Sequence, residues 1–546
     1  MPESSTTNER VTAWWISSVP RLPPDSIQAT MATVDSIVEA TATSDGSVGP
    51  PTASLQPLST RPVLGIAAIF LALELAVSSR YGFHRDELYF LACARHLSWG
   101  YVDQPPLVPV LAWLSTHVFG TSPEAIRIFP ALAGATAVVV TALMARELGG
   151  GRRAQVLAAL AAATSPQVLA ACHLLSTAAF DELFWCIACY ASLRILRMPE
   201  APQWWLVLGA TLGIGLLNKW NVGFLAAALV LGFVVGGRRH VFTTPWPWAA
   251  AGIAIALWLP NLIWNAQHQW AEVAMTRSLH QENGGFGAAL GFIPSQVVVV
   301  GPVLVFFWVA GLRKLLREQR WRPIGIAYLV LLVAFTLTGA KPYYLAGMYF
   351  VLFAAGGVWA EARLLAHRTP KRMRGWVALM LAGLVFALPL SLPVLPQTAL
   401  PTTSWESNLN KELSATVGWR QFVRQVATIA DRLPAQERAR LVVFTGDYGA
   451  AGAIDLWGDQ YGLPRAISGH NSYWWWGPGT ASDNSTTIAI NVPAAYLETI
   501  FSRVQPAGTV QTPQNVWTEE RGDPIWVCTG QRTTWSAAWQ SARHYG

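Results

Sequence analysis

Phe83–Pro106, FHRDELYFLACARHLSWGYVDQPP, decides how the chain is read. It follows the first long apolar segment and crowds Arg85, Asp86, Glu87, Asp103 and Gln104 among aromatic residues. Elsewhere in the first 400 residues charge is scarce and mostly confined to short basic loops. Adjacent carboxylates at the edge of an apolar segment are costly, which points to chemistry or ion handling.

Working outward, the 546 residues are 52% hydrophobic and only 13% charged. Soluble domains carry roughly 25% charged residues, so the composition is that of a membrane protein. The net charge of +7 does not indicate nucleic acid, because Lys and Arg cluster beside apolar segments as topology signals do. Five cysteines form neither a disulfide framework nor a zinc spacing. Residues 1–60, rich in Ser, Thr, Pro and Ala, have the composition of a disordered cytoplasmic tail and lack the pattern of a signal peptide.

Residues 61–398 are expected to form a helical transmembrane domain of about 11 spans, among them 154–171, 175–196, 204–217, 221–236, 247–264 and 295–312. Residues 105–120 are shorter and Pro-broken, and are expected at the interface. Five basic clusters, at Arg146–Arg153, Arg194–Arg197, Arg238–Arg239, Arg313–Arg322 and Arg363–Arg374, all fall on one side of this arrangement. The positive-inside rule makes that side cytoplasmic and turns the acidic loop 80–123 outward. Residues 218–220, 265–294, 340–342 and 399–546 share the outer face. The last of these is soluble in composition and is expected to be an α/β domain. Helices are predicted at Trp405–Leu433 and Ala494–Val504, and strands at Leu441–Thr445 and Thr487–Asn491. Four aromatics in His470–Gly479, HNSYWWWGPG, serve either as domain core or as a surface for sugar or the outer loops.

The outer face gathers the chemistry. On a helix, Asp86 and Glu87 point about 100° apart, so one atom cannot use both equally. Asp86 is either a helix cap or a base for a hydroxyl, with Glu87 as its organiser. Asp103 is either a turn residue before Pro105 and Pro106 or a second carboxylate returned toward Asp86. Lys219, in LLNKWN, defies the positive-inside trend; it either snorkels or meets a lipid phosphate. Lys341, followed by Tyr343 and Tyr344, repeats that pattern, and Arg85 adds a third cation. Asp181 and Glu182 lie inside a span, where carboxylates face a polar interior or support the helix dipole. His268 and His280, with Glu282, are loop candidates for a divalent metal site. No nucleotide cofactor is expected, because Gly149–Gly151 follows no strand.

FHRDELYFLA, GYVDQPPL, RIFPALAGA, LLNKW and KPYYLAGMY resemble the polytopic GT-C glycosyltransferases. The resemblance covers about residues 62–395. It points to the bacterial branch related to dolichyl-phosphate-mannose protein mannosyltransferases (glycosyltransferase family 39) and the lipid A aminoarabinose transferase. It implies transfer of a sugar, with inversion, from a polyprenyl-phosphate carrier to an acceptor hydroxyl on protein, lipid or cell-wall glycan, at the extracytoplasmic face of the cell membrane. By the same resemblance Asp86 is the catalytic carboxylate and Asp103 a second acidic position. Lys219 lies near the donor phosphate, with Tyr343 or Tyr344 beside it, and Asp103 with His280 is a loose match to a metal position. Gln104 and Tyr89 stand where the aminoarabinose branch has Lys and Arg, which argues against aminoarabinose. A transporter or flippase of a lipid-linked saccharide is the competing reading, but the polar groups gather on one face and no inverted repeat is visible. A non-catalytic glycan binder is a third.

Overall fold

Runs of apolar residues too long for strands, in a chain poor in charge, fold here as helices whose backbone groups are satisfied internally, as a bilayer demands. The structure is a computed structural model describing residues 55–283, 286–366, 370–403, 411–479 and 481–545. The expected tail thus lies almost wholly outside the described residues. Among these, six helices are long and apolar enough to cross a membrane, or up to eight if two bent pairs each count as one span. Three shorter apolar helices accompany them: Leu107–Phe119, Gln203–Leu216 and Arg322–Thr338.

Two expected spans are broken. Residues 154–171 divide into Arg152–Ala163 and Pro166–His173, bent by 56°, and residues 295–312 bend by 96° where Pro302 follows Gly301. Both breaks sit at a proline, which cannot donate to the preceding turn, and Gly301 takes φ +93°. The Thr177–Arg197 helix carries Asp181 and Glu182 inward, both under 7% exposed.

The C-terminal residues form a five-stranded sheet, β1 Val442–Thr445, β2 Ala466–Ser468, β3 Thr487–Ile490, β4 Phe501–Thr509 and β5 Pro524–Gln531. The strand order is β2-β1-β3-β5-β4. β1 runs parallel to β2 and β3, and β5 antiparallel to β3 and β4. The predicted Trp405–Leu433 helix is observed at Trp419–Ala430, with residues 404–410 outside those described. The predicted Ala494–Val504 helix ends at Ile500, because Phe501 onward pairs with β5.

The sheet domain shares a core with the acidic loop. Leu88, Leu91 and Ala92 of the Arg85–Arg95 helix join Ala450, Ile454 and Trp457 of the Tyr448–Trp457 helix in one apolar cluster. The crossing is close: a Cβ on Gly452 would stand 2.8 Å from the Leu88 carbonyl oxygen. This contact carries the start of the Tyr448–Trp457 helix to Asp86.

Candidate active site

The Arg85–Arg95 helix begins with a capping box made by its neighbours, leaving Asp86 unused. His84 Nδ1 accepts the Asp86 amide N–H at 3.1 Å, and Glu87 Oε2 accepts the His84 N–H at 2.8 Å. This is the reciprocal satisfaction of exposed donors expected at a helix start, with His84 as cap. The Asp86 side chain, 36% exposed, turns toward the sheet domain, where Tyr448 Oη donates to its Oδ1 at 2.8 Å.

Glu87 is a correction to its predicted catalytic place. It is fully buried and paired bidentately with Arg127, Nε to Oε1 at 2.9 Å and Nη2 to Oε2 at 2.7 Å. The Leu175 N–H adds a bond to Oε1 at 2.9 Å. With both oxygens engaged, Glu87 locks the loop to the helices at 128–147 and 177–197 and has no reach into the cleft. Breaking such a buried pair leaves an uncompensated charge. Glu87→Gln is therefore expected to destabilise the fold by about 3 kcal/mol, seen as a lower thermal midpoint of the purified protein in detergent.

Arg85 is a second correction. It is absent from the predicted phosphate group, because its guanidinium pairs with Glu519 and lies 3.8 Å from Glu520, both in the sheet domain. It fastens the two parts of the chain together.

Asp103 does return toward Asp86. Tyr89 Oη donates to its Oδ1 at 2.8 Å, and the Ser472 N–H donates to Tyr89 Oη at 3.3 Å. Ser472 Oγ also accepts the Val102 N–H at 3.1 Å. Burial pushes the Asp103 carboxyl up to about 7; the Tyr89 bond opposes this and the Asp86 charge adds to it. The native state therefore holds this proton more tightly than the unfolded chain. The stability tied to it is full below about pH 4 and lost as pH rises through 7. Glu272 and Asp523, each raised to about 8 chiefly by burial, act in the same sense. The thermal midpoint is expected to fall from pH 5 to 8, and Asp103→Asn to flatten the lower part of that slope.

Lys219 is linked to this acidic group through Lys341, which lies within electrostatic reach of both Lys219 and Asp86. Its Nζ lies 4.9 and 4.4 Å from the ring centroids of Tyr343 and Tyr344, within cation–π range. Burial alone would lower its ammonium, but Tyr343, Tyr344 and Asp181 outweigh that and hold it above the ordinary lysine range. Asp181 Oδ2 accepts from Asn221 Nδ2 at 2.9 Å, and Asn221 also reaches the Tyr344 carbonyl at 3.3 Å, so Asp181 braces this corner. Lys341 is exposed and within electrostatic reach of both Lys219 and Asp86. The tyrosine pair, above all Tyr343, raises it. Gln104 is 2% exposed, and neither of its amide atoms has a hydrogen-bond partner.

The metal expectation does not gain a ligand set. Among the described residues no three His, Cys, Asp or Glu side chains could hold one ion, and the His280 and Glu282 side chains lie outside those residues. His268 instead stacks on Trp264 at 4.0 Å and meets Trp475 edge-on at 4.9 Å. The HNSYWWWGPG segment therefore does both things expected of it. Trp474 exchanges indole hydrogen bonds with Trp539 at 2.9 Å inside the domain, while Trp475 meets His268 edge-on and Trp476 stacks on His96 of the loops.

Tyr448, Ser472, Arg127 and Glu272 went unremarked in the sequence. Tyr448 carries one signal, since it opens a helix just after a buried strand, where side chains of an α/β sheet commonly meet ligands. Tyr448→Phe removes the bond that aims Asp86, worth about 1.5–3 kcal/mol for a charged acceptor. A roughly tenfold or greater fall in turnover is expected, with carrier binding unchanged, in a transfer assay beside a binding assay.

Comparison with known proteins follows the same lines. Residues 103–264 match the family described as dolichyl-phosphate-mannose-protein mannosyltransferase. The chain is 26% identical over 331 residues to the lipid A galacturonosyltransferase RgtD of Rhizobium johnstonii, covering 57% of this chain and 67% of that protein. It is 24% identical over 319 residues to the lipopolysaccharide core galacturonosyltransferase RgtB of the same organism, covering 53% of this chain and 63% of that protein. The chain is a GT-C-fold membrane glycosyltransferase related to protein mannosyltransferases and ArnT. In fold it is similar to ArnT from Cupriavidus metallidurans bound to undecaprenyl phosphate. The TM-score is 0.60 at 13% identity, over 86% of this chain and 98% of that one.

Proposed function

We propose that this protein transfers a sugar from a polyprenyl-phosphate carrier to an acceptor hydroxyl at the extracytoplasmic face of the cell membrane. The observation that carries the proposal is the pairing of a carboxylate with a cationic corner. On one side is a carboxylate, Asp86, released from capping and aimed by Tyr448. On the other is Lys219 beside two tyrosine rings, with Lys341 within electrostatic reach of both Lys219 and Asp86. ArnT, similar in fold, is described with undecaprenyl phosphate bound, which supports a polyprenyl phosphate at the cationic side here.

The chemistry is a single displacement. Asp86 accepts the proton of the acceptor hydroxyl as its oxygen bonds to the anomeric carbon. The bond from that carbon to the phosphate oxygen breaks on the opposite face, so the anomeric configuration inverts. The electron pair leaves with the polyprenyl phosphate, whose charge Lys219 and Lys341 offset in a poorly solvated cleft. The carrier's apolar tail stays in the bilayer, which explains a site at a membrane edge.

The test incubates the purified protein with radiolabelled polyprenyl-phosphate sugars and envelope membranes, then identifies the labelled product as protein, lipid or glycan. Transfer by wild type and none by Asp86→Asn is the expected result. No transfer from any donor, with the two proteins indistinguishable, would sink the proposal.

A further inference from the structure

Beyond Asp86, two more carboxylates continue into the cleft, and neither has a cation within 4 Å among the described residues. Asp103 is held by the neutral Tyr89 hydroxyl. Glu272, 6% exposed, is held by two neutral amides, Asn261 Nδ2 at 3.0 Å and Asn265 Nδ2 at 3.1 Å. Both amides end on Oε1, and no described donor reaches Oε2. Asp103 lies within electrostatic reach of Glu272, and Val102 packs in one cluster with Ala271 and Met275 on either side of it. The 99–103 loop sits directly on this wall, since a Cβ at Gly100 would stand 2.4 Å from the Trp264 ring and 2.9 Å from Asn261 Nδ2.

Glu272 is also tied to the cationic corner. Trp220, next to Lys219, donates its indole N–H to Asn261 Oδ1 at 2.9 Å, and the same Asn261 donates to Glu272. One tryptophan and one asparagine thus separate the Lys219 loop from this carboxylate. Next to Asp103, Gln104 offers a buried amide with both ends unpartnered, a donor and an acceptor for a hydroxylated ligand.

We propose that Glu272, with Asp103, binds hydroxyls of the transferred sugar, and that this sugar carries no charge. The inference rests on the transferase reading above and narrows it. Carboxylates oriented by neutral donors accept hydroxyl hydrogen bonds well. A uronic acid would bring an anion to a buried wall where two carboxyls already resist ionisation and where no described cation lies within 4 Å of either. This sets the chain apart from its relatives named as galacturonosyltransferases.

The experiment uses the full chain in lipid nanodiscs. Four probes are titrated by tryptophan fluorescence: undecaprenyl phosphate, and the same carrier bearing a neutral hexose or pentose, an aminosugar, or galacturonate. Each sugar-bearing probe is then assayed for transfer. Wild type is expected to bind the neutral-sugar donor at least tenfold more tightly than the uronate, and Glu272→Gln to narrow that ratio below about threefold while leaving bare carrier affinity unchanged. Equal or tighter uronate binding by wild type overturns the inference, as does an aminosugar donor preferred over the neutral one. Glu272→Gln weakening all four probes alike shows a merely structural carboxylate and also overturns it. If that variant does not fold, the wild-type ratio alone decides. Transfer from the uronate donor would overturn this inference and leave the transferase standing. Selective neutral-sugar binding without transfer from any donor would do the reverse.

Discussion

Asp86→Asn is expected to lower sugar transfer by about a thousandfold, the middle of the roughly 10²–10⁴ range that a positioned general base contributes. The substitution keeps size and the capacity to accept from Tyr448, and it leaves the capping box intact because His84 and Glu87 make it. Folding and carrier binding should therefore persist while the chemical step fails. Single-turnover transfer from a labelled donor, beside a binding titration with the bare carrier, separates the two. A variant that binds and transfers as wild type would remove Asp86 from the mechanism.

The second large effect is expected at Lys219. Replacing it with Met keeps the apolar stem and deletes the charge that the proposed mechanism sets against the departing phosphate. Loss of one preorganised electrostatic contact costs about 10²–10³ in turnover. Lys219→Arg should rescue poorly, because the ammonium lies 4.4–4.9 Å from two ring centroids, a slot shaped for a compact cation. The neighbouring Asp181 and Asn221 would keep their mutual bond at 2.9 Å. Turnover against carrier affinity is the measurement; weaker affinity with turnover unchanged would mean that Lys219 binds ground state and transition state alike.

These residues were legible in the sequence for a common reason. A charge in an apolar chain is costly, so Asp86, Asp103, Lys219 and Lys341 stand out without any structure. What adjacency cannot reveal is the partner. Glu87 looks identical to Asp86 until Arg127, 40 residues on, closes on both its oxygens. Arg85 looks like a phosphate ligand until Glu519, 434 residues away, claims it. Tyr448 meets Asp86 across 362 residues, and nothing local announces that contact.

The fold was readable to a similar depth. Buried β1 and β3 betray themselves as short apolar runs, and they appear within a residue of their expected bounds. The strand β4 does not. It lies at the sheet edge with a bulge between Pro506 and Gly508, and its burial recurs every third residue. That spacing imitates a helix, so the preceding helix seemed to continue through Val504. The two bent spans misled for the opposite reason: hydropathy averages over a window and is blind to a proline in its middle.

The clasp between the sheet domain and the acidic loop bears on how this chain can be recombined. Tyr448 aims Asp86, Ser472 holds the 102–103 backbone, and Glu519 receives Arg85. The membrane helices and the sheet domain are thus halves of one lock, not a catalytic body with an interchangeable lid. A chimaera that grafts the sheet domain of a relative onto these helices must inherit Arg85, Asp86 and Tyr89 from the same parent as Glu519, Tyr448 and Ser472. Lineages that change their acceptor would be expected to change both halves together.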